Sequence, residues 1–80
     1  MHAPTITPET AWHVLWHYGR GGCQPGQFTQ RLMDAMDAAD EVNFHILAAT
    51  YPELGAAMTA AKNDPNGIAE LQRIGGQAAA

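Results

Sequence analysis

The sequence predicts an all-α fold, a compact bundle of about five short helices. Three observations carry that prediction. Breakers divide the chain at regular intervals ("GRGGCQPG", "AAD", "YP", "NDPNG"). The segments between them repeat their apolar residues at helical rather than alternating spacing. No run of alternating β-branched and aromatic residues offers a strand. The 80 residues make one domain, residues 1–80, near the lower size at which a chain buries enough surface to fold alone.

The first helix is predicted over residues 7–18, with Thr7 as N-cap, Pro8 at the first helical position and Glu9 at the positive end of the dipole. Gly19 can adopt the left-handed conformation that closes it. The second helix, 25–38, sets Phe28, Leu32, Met33, Ala35, Met36 and Ala39 on one side and Gln30, Arg31, Asp34 and Asp37 on the other. Asp40 caps the third, 40–51, whose Val42, Phe44, Ile46, Leu47 and Tyr51 spread almost all the way round. Such a helix is expected at the centre of a bundle. Pro52 forces a break or a sharp bend and opens the fourth helix, 52–62, with a narrow stripe of Leu54, Ala57, Met58 and Ala61. "NDPNG" signals a turn. A short fifth helix over 66–74 presents Ile68, Leu71 and Ile74. Residues 1–6 and 75–80 are expected to be flexible.

Composition excludes several function classes. Eight acidic against four basic residues give a net charge of -4, and Arg20, Arg31, Lys62 and Arg73 are scattered. A phosphate-binding surface needs its cations gathered on one face, so general nucleic-acid binding is disfavoured. "MHAPTITPET" lacks the basic and apolar regions of a secretion signal, and no apolar run approaches the roughly 18 residues of a membrane span. A single cysteine, Cys23, excludes an internal disulfide and suits a reducing interior.

The stretch "TPETAWHVLWHYGRGGC" gathers both tryptophans, His13, His17 and Cys23. On a helical wheel Ala11, Val14, Leu15 and Tyr18 form one stripe, Trp12 and Trp16 a second beside it, and His13 and His17 a third. With the tryptophans next to the core, the histidines face water. Two histidines four apart can hold a divalent ion from one helical face, which makes His13 and His17, with Cys23, the fallback metal-binding reading. The intervening Val14, Leu15 and Trp16 supply no general base, and His2 lies in the N-terminal tail. "GRGG" follows a helix C-terminus rather than a strand, so a helix connection explains it better than a phosphate cradle.

Catalysis has little support. Cys23 with His13 or His17 lacks a third group to orient the base. Asp34 and Asp37 are read as a solvated face, and His45 as a hydrogen-bonded, partly buried side chain. No cofactor is expected. The second and third helices could be arranged as a helix-turn-helix, but "EVNFHILAATY" is mostly apolar and has no Lys or Arg to face a groove. Aromatic side chains are enriched at binding hot spots, so Trp12 and Trp16, with Arg20 at the rim, form the candidate binding surface for a partner protein or a second copy.

The succession of His17 to Gly22 ("HYGRGG"), Pro25 to Leu32 ("PGQFTQRL") and Ala39-Asp40 resembles a group of small accessory proteins encoded by bacteriophages of actinobacteria. The likeness covers most of residues 12–71; Cys23 and Gln24 fall outside it. It implies a product made in the host cytoplasm that binds a host or phage protein. It transfers no catalytic residue. The resulting expectation is a non-enzymatic interaction module.

Overall fold

A computed structural model describes residues 5–79, and side chains over residues 5–76. Five helices follow in order: α1 (Pro8–His17), α2 (Gln27–Ala38), α3 (Glu41–Thr50), α4 (Pro52–Asn63) and α5 (Gly67–Ala79). Among the described residues there is no strand, and no helix is long and apolar enough to cross a membrane. The all-α bundle is as the sequence predicts. Of the N-terminal segment, residues 1–4 lie outside the described residues; Ile6 packs against the core.

The predicted punctuation forms as local chemistry requires. Thr7 Oγ1 accepts from the Thr10 amide at 3.3 Å, and Pro8 occupies the first helical position of α1. Asp40 Oδ1 accepts from Asn43 N–H at 2.8 Å. These side chains satisfy amides that the helix itself leaves free. Gly26 begins α2 with no side-chain cap. Tyr51 (φ -123°, ψ 70°) separates α3 from α4, and Pro52 starts the new helix. The two are separate elements, folded back on one another so that Phe44 shares a cavity with Thr59 and Asn63. A side chain at Gly55 would stand 2.7 Å from Ala48 Cβ, so only glycine lets α3 and α4 meet there. In "NDPNG", Asp64 Oδ1 accepts from Asn66 N–H at 2.9 Å in an Asx turn.

The core comprises Ala11, Val14 and Leu15 of α1, Met33 and Met36 of α2, Leu54, Ala57 and Met58 of α4 and Leu71 of α5. This corrects the expectation for α3, which buries no residue fully and lies at the edge. The central helices are α1, which packs on α2, α4 and α5, and α4, which packs on α1, α3 and α5. The small residues of α4 let its neighbours approach closely, as Gly55 does for Ala48 of α3. Phe28 also departs from expectation: it is 66% exposed, in the first turn of α2, with its ring 6.2 Å from that of Tyr51. The buried stripe of α2 is narrower, centred on Met33 and Met36.

Helix α5 runs to Ala79, past its predicted end at residue 74. Local propensity argues against "GG" within a helix. Here tertiary contact overrides it: the Trp12 indole Nε1–H donates to Gly75 O at 3.1 Å, and a Cβ on Gly75 would stand 2.6 Å from the indole ring. Gly76 faces open space. Opposite outcomes are expected at adjacent positions. Gly76→Ala should stabilise by up to about 1 kcal/mol through helix propensity, whereas Gly75→Ala should destabilise by about 1–2 kcal/mol by displacing the indole. Thermal unfolding of both variants measures the two signs; stabilisation in both would mean that Trp12 does not rest on α5.

Candidate functional site

The chemistry-bearing residues of α1 divide among three surroundings. The first is a cleft between the end of α1, the glycine loop and α5. Helix α1 closes in a Schellman motif: Gly19 N–H donates to Trp16 O at 3.0 Å and Arg20 N–H to Leu15 O at 2.8 Å, with Gly19 at φ +71°. The chain then folds back along α1, and Cys23 N–H donates to Trp12 O at 3.2 Å. Gln72 Nε2 reaches the Arg20 carbonyl at 3.4 Å. The result is a mainly apolar cleft of about 360 Å³ walled by Trp12, Leu15, Arg20, Cys23 and Gly75, among others.

The structure thus brings Trp12 and Arg20 into one site, whereas Trp16 is not among the residues that wall it. Trp12 is half-buried against α5. Trp16, one turn along the same stripe, is 37% exposed. Arg20 reaches the cleft although the helix ends before it, because the Schellman turn carries it there. The Cys23 thiol is free and exposed.

The second setting joins α1, α2 and α4. Asp37 receives three partners: His17 Nε2 at 2.6 Å, Tyr18 OH at 2.8 Å and Lys62 Nζ at 3.2 Å. Because an ionised carboxylate can only accept, the proton lies on His17 Nε2. The His17 side chain is 11% exposed, with Nδ1 3.9 Å from Asp34. This corrects two expectations. His17 does not face water, and Asp37, though still exposed to solvent, is also the polar tie among three helices. The physical reason is the rotation of α1, which presents Ala11, Val14 and Leu15 to the core and turns His17 and Tyr18 towards α2.

Burial alone would raise the Asp37 carboxyl, but hydrogen bonds from His17, Tyr18 and Lys62 outweigh it and hold it below the usual carboxylate range. Burial and the neighbouring carboxylate push the Tyr18 phenol well up, so it remains a donor. A depressed carboxyl contributes stability above its unfolded pKa of about 4 and loses it as pH falls through the folded value. Asp37→Asn should therefore cost about 1–2 kcal/mol at neutral pH, allowing for partial exposure. It should also flatten the acid loss of stability below about pH 4. Urea midpoints of both proteins across that range are the check; parallel curves would exclude Asp37 as the acid-sensitive tie.

The third setting holds His13, in a hollow of about 280 Å³ with Phe28, Tyr51 and Glu53 among its walls. Glu53 Oε1 accepts from both Thr7 N–H and Thr7 Oγ1–H at 2.7 Å, which fastens the start of α1 to α4. Burial would raise the Glu53 carboxyl, but these hydrogen bonds keep it below its ordinary value. His13 and His17 therefore line different places, and Cys23 a third. Among the described residues no three His, Cys, Asp or Glu side chains are grouped to hold a metal ion; His2 lies outside them. His45 is exposed rather than partly buried, 3.8 Å from Glu41 on its own helix.

The Asp37 cluster was not legible in the sequence. Its only trace is the pairing of Asp34 and Asp37 on one helical face, a spacing shared by ordinary surface residues. The chain matches no protein-family model, no curated protein and no solved structure.

Proposed function

We propose that this chain is a non-enzymatic, helical protein–protein interaction module that binds through Trp16 and the Trp12/Arg20 cleft. The observation that carries this reading is an indole left 37% exposed, one helical turn along α1 from Trp12, whose cleft is walled mainly by apolar groups with one guanidinium. Binding energy concentrates in tryptophan and arginine next to pockets of this kind. The exposed ring supplies apolar area with few rotors to freeze, and Arg20 supplies orientation at the rim. Resemblance to accessory proteins of actinobacteriophages supports a setting in the host bacterial cytoplasm and a host or phage protein as partner.

The test is affinity capture from an actinobacterial lysate with wild type, Trp16→Ala and Arg20→Glu side by side. Both substituted positions are exposed, so the variants should stay folded. A partner held by wild type should bind Trp16→Ala at least about tenfold more weakly, as expected for a hot-spot residue. Equal retention by both folded variants, or no partner at all, would overturn the reading.

A further inference from the structure

Helices α3 and α4 enclose a second concave surface, which shares no residue with the Trp12 cleft. Between them lies an open groove of about 610 Å³. Phe44 and Ala48 form one wall, and Gly55, Ala56 and Ala60 the other. Past Phe44, Thr59 and Asn63 it continues into a smaller hollow of about 210 Å³ bounded by Asp40 and Glu41. Along α4 the groove extends from Pro52 to Asp64, about 18 Å at 1.5 Å per residue, or three helical turns. The small residues of its α4 wall would let another helix axis come close.

Beside the groove, α3 carries apolar residues on the side away from its own contacts. Phe44 and Leu47 pack towards the core, whereas Val42 is 69% and Ile46 57% exposed. A helix apolar all round belongs between neighbours, and this one is covered by α4 and α2 alone.

The charges around the groove select the occupant. Asp40, Glu41 and Asp64 stand at its rim. No Lys or Arg lines the main groove, where the one basic side chain is His45, 3.8 Å from Glu41, and Lys62, at the hollow, is turned to Asp37 at 3.2 Å. A second copy presenting the same face would set carboxylate against carboxylate, because α3 and α4 contain Lys62 as their one lysine and no arginine. We propose that the α3/α4 groove seats an amphipathic helix of a partner protein, apolar along its seam and basic on its flanks. This is the helix-in-groove mode of recognition, with specificity added by charge complementarity at the rim.

The experiment titrates the isotope-labelled full chain with two synthetic helical peptides sharing one leucine–alanine seam, flanked by lysines in one and by glutamates in the other. Backbone NMR shifts locate binding. The lysine peptide should move the amides of Ala48, Ala56, Thr59 and Ala60 and leave Gly22 and Gln72 in place. It should bind about tenfold more tightly than the glutamate peptide, a margin that added salt narrows. Thr59→Arg, at an exposed position, should block it while the circular dichroism spectrum stays helical; Glu41→Lys should weaken it. Equal binding of the two peptides, shifts confined to the Trp12 cleft, or no binding by either would overturn the proposal. So would concentration-dependent shifts of the groove amides without peptide, which would identify a second copy as the occupant.

Discussion

Trp12→Ala should destabilise the fold by about 3 kcal/mol, while Trp16→Ala should change it by less than about 1 kcal/mol. The two tryptophans lie one turn apart on one stripe, and the difference arises from α5. Trp12 stands where α1 and α5 make the most extensive helix contact of the bundle. Its indole donates to Gly75 O and fills the space that a side chain at residue 75 would need. Truncation leaves a void at that contact and removes the donor, at the lower end of core tryptophan losses because the ring is only half-buried. A domain of this length has about 4–12 kcal/mol in all, so the variant gives up a large share. Urea unfolding followed by far-ultraviolet circular dichroism measures both variants without relying on the deleted fluorophore. Equal losses at the two positions would mean that Trp16 is also structural, and the interaction surface would lose its anchor. The expected inequality also explains why Trp16 alone is the useful probe of binding. A double variant would confound loss of contact with loss of fold.

Those contrasts mark the boundary of what the sequence conveys. Thr7, Pro8, Gly19, Asp40 and Pro52 act on backbone groups within a few residues of themselves, so the ends they set were readable locally. The neighbours of each helix were not. All-round hydrophobicity marked α3 as central, yet α1 and α4 each pack on three neighbours and α3 on only two. Hydrophobic pattern reports how much of a helix prefers cover; it does not report which helices three neighbours can approach. The same limit hid the Asp37 tie, since His17 and Tyr18 become its partners only once α1 has turned that flank to α2. It also misplaced the end of α5, because the feature favouring helix at Gly75 lies 63 residues away in Trp12. At the candidate site, the sequence brought Trp12, Trp16 and Arg20 together. The part played by α5 and by the returning loop depends on tertiary contact.

That loop makes the second large effect. Gly22→Ala should cost about 2–4 kcal/mol and open the cleft, whereas Gly19→Ala should cost only about 1–2 kcal/mol. Both glycines hold positive φ, +71° at Gly19 and +75° at Gly22, so the backbone penalty of a side chain is common to both. Around Gly19 nothing lies within 4 Å of the added carbon. At Gly22 that carbon would overlap the Trp12 carbonyl and stand 3.0 Å from Leu15 Cβ. The carbonyl belongs to the interior of α1 and cannot move without disturbing the helix, so the loop must lift. Lifting breaks the bond from Cys23 N–H to Trp12 O and removes one wall of the cleft. The difference between the two variants isolates the steric part, since the conformational part cancels. If Gly22→Ala proves no worse than Gly19→Ala, the loop does not rest on α1, and Trp16 would have to bind its partner without a formed cleft. If Gly22→Ala is the more damaging and also weakens capture of the partner while Trp16 is intact, the loop backbone shapes the surface that the tryptophan anchors.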